Sequence, residues 1–361
     1  MKMHRLPDDG LPRRAPRRRW PMTLGAIALA FAAPAVQAAD DGEPTDPRYC
    51  SMTARLLFAA CGHEAEDDRL VMRAKCLNVA DERERALCFG ESRAAYAEAT
   101  ALCGEQLATR RAACNLLGEG RYDPAWGPDR FDSDFRLLSN PNPYFPLGIG
   151  NRWEYRGGDE RNTVEVVDQT KLIAGVTCVV LRDLVYQEGR LVEATDDWFA
   201  AGRDGSSWYC GEEVKDYESF AGDRPRRPEL VSTDGSFKHG RDHDKAGLIM
   251  PAQPQVGQAY LEEFSLGNAE DVSEILAVNY AYGANATLDR LVPRDLALRM
   301  CNSDCVVTKN YSLLEPGIFA LKYYARGIGF FLETVPDEGE ALQLVSCNFD
   351  ARCVALPAPA R

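Results

Sequence analysis

The sequence is poor in histidine, in basic charge and in long apolar runs, and each shortage removes a class of protein. Only His4, His63, His239 and His243 occur, so a Ser-His-Asp arrangement has few possible bases. Gly-x-Ser-x-Gly, His-Glu-x-x-His and a phosphate-cradling glycine loop are all missing, which removes the familiar nucleophile, zinc-protease and nucleotide motifs. Lys and Arg number 42 against 55 Asp and Glu, a formal net charge of −13. So acidic a surface repels phosphate backbones, and nucleic acid and anionic membranes are not expected as partners. After the first 38 residues no apolar run approaches the ~20 residues of a membrane-spanning helix, so no integral membrane segment is expected beyond them.

Residues 1–38 read as an export signal rather than as fold. Arg13, Arg14, Arg17, Arg18 and Arg19 form a basic n-region, Met22 to Ala33 is a short apolar run, and Val36-Gln37-Ala38 supplies small residues for cleavage. A periplasmic or secreted protein follows, more acidic still once that basic segment is removed. Twelve cysteines, an even number, then predict disulfides in an oxidising compartment.

The first six cysteines, Cys50, Cys61, Cys76, Cys88, Cys103 and Cys114, are separated by 11, 15, 12, 15 and 11 residues. That order is symmetric about its middle. Two antiparallel helices of equal rise would set Cys76 opposite Cys88, Cys61 opposite Cys103 and Cys50 opposite Cys114. At 100° per residue, a step of 11 falls about 20° past three turns and a step of 15 about 60° past four, so each helix keeps its three cysteines on one face. Alanines 54, 59, 60, 95, 99 and 113 are small enough to let the axes close to disulfide distance. Thr45-Asp46-Pro47 offers a cap for the first helix, Asp81 with Glu84 resembles a capping box for the second, and Gly118 and Gly120 stop it. A six-cysteine helical hairpin is therefore expected over residues 39–120, and a connector over 121–140.

Character changes at Pro141 to Gly157. Three prolines forbid helix, Gly148 and Gly150 allow a turn, and residues 151–155 alternate as a first strand should. Strand-like runs follow at 163–173, 176–185, 191–199, 259–264, 272–282, 297–300, 305–313, 320–324, 329–335 and 341–347. Asp204-Gly205 joins Trp198-Phe199 to Trp208-Tyr209 as a hairpin. The helical crossovers of an α/β fold are missing, so an α+β protein is expected: the stapled hairpin, then a mostly antiparallel β domain over 141–356, a curved sheet or a barrel, with 357–361 as a tail. Residues 221–254, rich in Pro, Gly and charge, read as a long excursion. The remaining cysteines allow 15 connectivities; Cys301–Cys305 and Cys347–Cys353 would bracket turns, leaving Cys178 with Cys210.

Four ordered blocks of this second domain, PYFPLGIGNRWEYRG at 143–157, DDWFAAGRDGSSWYCGEE at 196–213, LIMPAQPQVGQAYLEEFSLGNAED at 248–271 and LEPGIFALKYYARGIGFFLE at 314–333, resemble a family of uncharacterised exported bacterial proteins. The resemblance implies a secreted β domain and no established reaction, so it carries over no catalytic residue. The paired histidines of this chain depart from it.

Candidate sites are few. Trp153, Trp198, Trp208, Tyr209, Tyr323 and Tyr324 could line a ligand pocket in a curved sheet. The acidic region Glu262-Glu263, Glu270-Asp271 and Glu274 could supply paired carboxylates for hydrolysis of envelope polymers, with Glu262 and Glu270 as the residues whose replacement would abolish turnover. His239 and His243, four apart beside Asp242 and Asp244, are the densest set of possible zinc or copper ligands, although the glycines around them favour a solvated loop. No cofactor and no catalytic residue is assigned. The expected function is an exported, soluble, non-catalytic binding protein for a protein partner or an apolar small molecule; the alternatives are the carboxylate hydrolase and a metal-sequestering periplasmic protein.

Overall fold

The computed structural model describes residues 48–359; the expected signal segment at 1–38 and the Thr45-Asp46-Pro47 cap lie outside them. Helix α1 (Tyr49–Leu77) and helix α2 (Glu82–Leu117) form an antiparallel pair. Asp81 caps α2, its Oδ1 accepting from the backbone N–H of Arg83 and Glu84, both at 2.9 Å. Gly118, at φ 88°, ends it. The disulfides Cys50–Cys114, Cys61–Cys103 and Cys76–Cys88 join the two helices with Cα separations of 5.7, 5.7 and 5.6 Å. Of the small residues on the pair, Ala54, Ala65, Ser92 and Ala113 are buried, whereas Ala59 and Ala60 are exposed and Ala95 and Ala99 are half-buried.

The second part is one open antiparallel sheet. Strands β1 (Arg152–Gly157), β2 (Glu160–Ile173), β3 (Val176–Gln187), β4 (Arg190–Ala201), β5 (Ser207–Glu218) and β6 (Glu229–Ser232) meander outward from the centre to one edge. The short β7 (Phe237–Lys238) and β8 (Gly247–Met250) also pair with β5. Strands β9 (Ala259–Leu261) and β10 (Asp271–Tyr280) begin at the other edge. The chain then returns inward through β11 (Cys305–Ser312), β12 (Ala320–Ala325), β13 (Gly329–Val335) and β14 (Glu340–Cys347) to pair with β1. The sheet is not closed into a barrel, which removes that option. Its two ends touch where Lys245 N donates to Phe264 O at 3.0 Å, a lone bridge that no ladder extends. Gly247 is required at this approach, because a Cβ there would stand 1.8 Å from Glu262 O.

The expected strand at 297–300 is instead part of helix α3 (Arg294–Met300). A four-residue apolar run cannot distinguish helix from strand, and here the run packs Leu296, Ala297 and Met300 into the core. The excursion at 221–254 is less irregular than its composition suggests, since it contributes β6, β7 and β8. The remaining disulfides are Cys178–Cys210 across the β3 and β5 region, Cys301–Cys305 and Cys347–Cys353.

The hairpin docks on the sheet through the C-terminal half of α2. Arg110 makes a bidentate ion pair with Glu270 at 2.8 and 2.9 Å, both side chains almost wholly buried. Gln106 donates to Leu314 O at 2.9 Å, and Ala113 packs against Leu261, Val272 and Leu313. Removing one partner of a buried pair leaves an uncompensated charge, which costs about 3–5 kcal/mol. Glu270→Gln should therefore lower unfolding free energy in urea by about that amount, and Arg110→Met combined with Glu270→Leu should recover most of it.

Candidate functional site

The inward face of the sheet carries a group of buried ionisable side chains that packing alone does not explain. Along β3, Leu181, Asp183 and Val185 share that face; along β4, Thr195, Asp197 and Phe199 do. Ionisable residues thus occupy positions whose neighbours are core. Across the sheet Lys322 and Tyr324 of β12 face the same space, as does Glu262, which follows β9. Together with Phe145, Leu147, Trp153 and Val164 they surround a cavity of about 70 Å³.

The walls are fixed by hydrogen bonds to backbone. Trp153 Nε1 donates to Ile328 O at 2.9 Å and Tyr155 Oη to Phe330 O at 3.0 Å, tying β1 to the β12–β13 turn. Gly329 adopts φ 86° there, and a Cβ would press on Pro146 Cδ at 2.9 Å. The proline-rich turn before β1 therefore packs directly against that corner.

Two polar arrays face the cavity. In the first, Asp197 and Glu212 are direct cross-strand partners on β4 and β5, a placement unfavourable for two ionised carboxylates. Tyr209 Oη donates to Asp197 Oδ1, and Glu212 Oε2 lies 3.0 Å from the same hydroxyl. A phenol carries one hydrogen and can donate to only one of them. Burial, reinforced by Glu212 and Asp183, holds the Asp197 pKa well above the ordinary carboxylate range. A protonated Asp197 can donate to Tyr209 while Tyr209 donates to Glu212, so the three groups form a chain along which a hydrogen can be passed. In the second array Glu262 Oε1 accepts from Ser273 Oγ at 2.7 Å and Asn310 Nδ2 at 2.9 Å, with Lys322 Nζ 3.9 Å from Oε2. Burial alone would discharge Lys322; Glu262, Glu333, Asp271 and Glu263 outweigh it and raise its pKa.

The six aromatic candidates divide between the two faces. Trp153 and Tyr324 line the cavity, and Tyr209 lies inward beside it, stacked on Phe199 at 4.8 Å. Trp198 and Trp208 belong to the outer face, in a separate cluster with Phe131, Trp126 and the Cys178–Cys210 bridge. Tyr323 also faces outward, donating to Leu288 O at 2.6 Å under the segment that leads to α3. Of the two carboxylate candidates, Glu262 is in the cavity wall, whereas Glu270 is outside it, held by Arg110 and by Gly267 N at 2.6 Å. His239 is engaged in a turn. Its Nδ1 accepts from Ala246 N at 2.9 Å and its ring lies against Trp126 at 4.5 Å. Burial, then Lys245, lowers its pKa. His243 is exposed at φ 66°, and no group of three or more potential metal ligands is found among the described residues.

Sequence reasoning missed Asp183, Asp197 and Lys322. The available signal was a charged residue set among apolar strand positions, in the alternating Leu181-Arg-Asp-Leu-Val185 and in the wholly buried Ala320-Leu-Lys-Tyr-Tyr324. No family model, no curated protein and no solved structure matches this chain.

A carboxyl whose folded pKa is raised favours the native state while it keeps its proton. Its contribution is complete below the unfolded Asp value of about 3.9 and is lost as pH rises toward the folded value. Asp197→Asn should therefore flatten the decline of the urea midpoint with pH above that value, compared with the parent protein across a pH series.

Proposed function

We propose that this chain is an exported binding protein, of the uncharacterised family its sequence blocks resemble, that takes the apolar body of a small molecule into the concavity of its sheet. The observation that carries this reading is the composition of the cavity wall. Thirteen of its sixteen lining residues fall within the four blocks at 143–157, 196–213, 248–271 and 314–333. Segments far apart in the chain thus converge on one space, and most of what they present to it is aromatic or aliphatic, the usual make-up of a ligand site. Six disulfides fit an extracytoplasmic setting, and no helix among the described residues is long and apolar enough to cross a membrane.

Size narrows the guest. About 70 Å³ is roughly half the ~150 Å³ apolar cavity that admits benzene, so the enclosed part of the ligand has only a few non-hydrogen atoms. Butan-1-ol is a suitable probe, and Trp153 in the wall is a built-in reporter. Titration should shift tryptophan emission saturably, and the shift should vanish in Trp153→Phe. Filling the space with Val164→Phe should weaken uptake about tenfold or more, since overpacked cores tolerate added groups poorly. A response that never saturates, or that survives Trp153→Phe unchanged, would remove the cavity as the site.

A second reading, docking of a protein partner on the hairpin, draws on Leu70, Leu77 and Leu87, which stand 51%, 71% and 67% exposed near its free end. Its check is crosslinking in the native envelope from a photoreactive residue at position 77, with the Leu77→Ser and Leu87→Ser double variant expected to lose the adduct.

A further inference from the structure

We propose that the guest is cationic: a small molecule with a short apolar body and a protonated amine, its ammonium group seated against Asp197 and Asp183. The inference rests on the binding reading above and narrows it to a ligand class. Three carboxyl side chains, Asp183, Asp197 and Glu262, line the cavity, against the single ammonium of Lys322. Lys322 lies on the Glu262 side, 3.9 Å from that carboxylate and directly across from Glu333 on the neighbouring strand. Asp197 and Asp183 stand on the other half of the sheet, on β4 and β3. Beside Asp183, the fully buried Asn162 places its Nδ2 3.5 Å from Asp183 Oδ2, while its Oδ1 has no hydrogen-bond partner among the described residues. A buried acceptor in that state calls for a donor. An ammonium group offers three donors and no acceptor, which suits the carboxyl oxygens that Asp183 and Asp197 present to the cavity. A carboxylate guest would meet the reverse.

The seating carries a proton balance. The groups around Asp197 are Asp183 on β3, Tyr209 and Glu212 on β5, and Glu263 beyond β9, with Glu262, Lys322 and Tyr324 across the cavity. With no guest, burial and the neighbouring acids raise the Asp197 pKa well above the ordinary carboxylate range, which favours its protonated form. An ammonium placed against it supplies the positive charge that the proton supplied before. Asp197 then releases its hydrogen to solvent and accepts from the guest instead; no bond other than that O–H is broken. Butan-1-ol, being neutral, displaces no proton.

The test compares butylamine, butan-1-ol and butyrate by calorimetry on the full exported protein, at a pH where the amine is charged. Butylamine should bind about tenfold more tightly than butan-1-ol, as expected for a charge-assisted bond in a buried site, and butyrate should be the weakest. In two buffers of different ionisation heat, amine binding should release protons and alcohol binding none. In Asp197→Asn the ratio of amine to alcohol affinity should collapse toward one. Should that variant not fold, proton release in the parent protein and the same ratio in Asp183→Asn decide the matter. Equal affinity for amine and alcohol with no proton release overturns the cationic guest while leaving the binding cavity intact. Failure of all three probes to bind overturns the binding reading, and this inference with it.

Discussion

Burying a carboxyl group in an apolar wall costs several kcal/mol unless it keeps its proton or faces a donor. The inward face of this sheet accepts that cost at Asp183, Asp197, Glu212 and Glu262, all nearly inaccessible. It is offset by hydrogen bonds specific to this geometry: the shared hydroxyl of Tyr209, and the Ser273, Asn310 and Lys322 set around Glu262. A sheet built only for stability would place Val or Leu at these positions. Polar groups that a fold retains at such expense concentrate where ligands are handled, and here Asp183, Asp197 and Glu262 lie against a cavity rather than within solid packing.

The hairpin and the sheet are stabilised by different means. Three covalent cross-links hold α1 to α2 largely by restricting the unfolded chain, so the pair needs little apolar core of its own, and several of its leucines stand exposed. The sheet instead depends on apolar packing on both faces, with the α3 segment against part of its outer surface and a separate cluster around Trp126 and Phe131 against another. The two parts are tied by Arg110 and Glu270 inside a small apolar patch. Drawing Glu270 into this contact leaves Glu262 as the cavity-facing member of that acidic stretch.

Aromatic doublets show where legibility ended. Trp198-Phe199, Trp208-Tyr209 and Tyr323-Tyr324 each send neighbouring rings to opposite faces, because side chains alternate along a strand. In each doublet the first ring packs on the outer surface and the second turns inward. The sequence marks these stretches as buried strand, yet the phase is set by register, and β-bulges place an extra residue opposite two of them, Cys210 of β5 across from Trp198-Phe199 and Phe331 of β13 across from Tyr323-Tyr324. One inserted residue reverses every later assignment of face. The short helix α3 was illegible for another reason: its apolar run is too short to show a period, and packing decided it.

By itself the sequence determined the mirror order of the first six cysteines, and with it the stapled helix pair, because helical rise is constant and local. It likewise determined most strands, through alternation and glycine-bearing turns, and the antiparallel class of the sheet. Tertiary structure alone decided that the sheet stays open, that its strands run outward and then return to meet at β1 and β14, and that Asp183, Asp197, Glu262 and Lys322 share one space. Those are relations between residues up to well over a hundred positions apart. They follow from strand order and curvature, which no local pattern encodes.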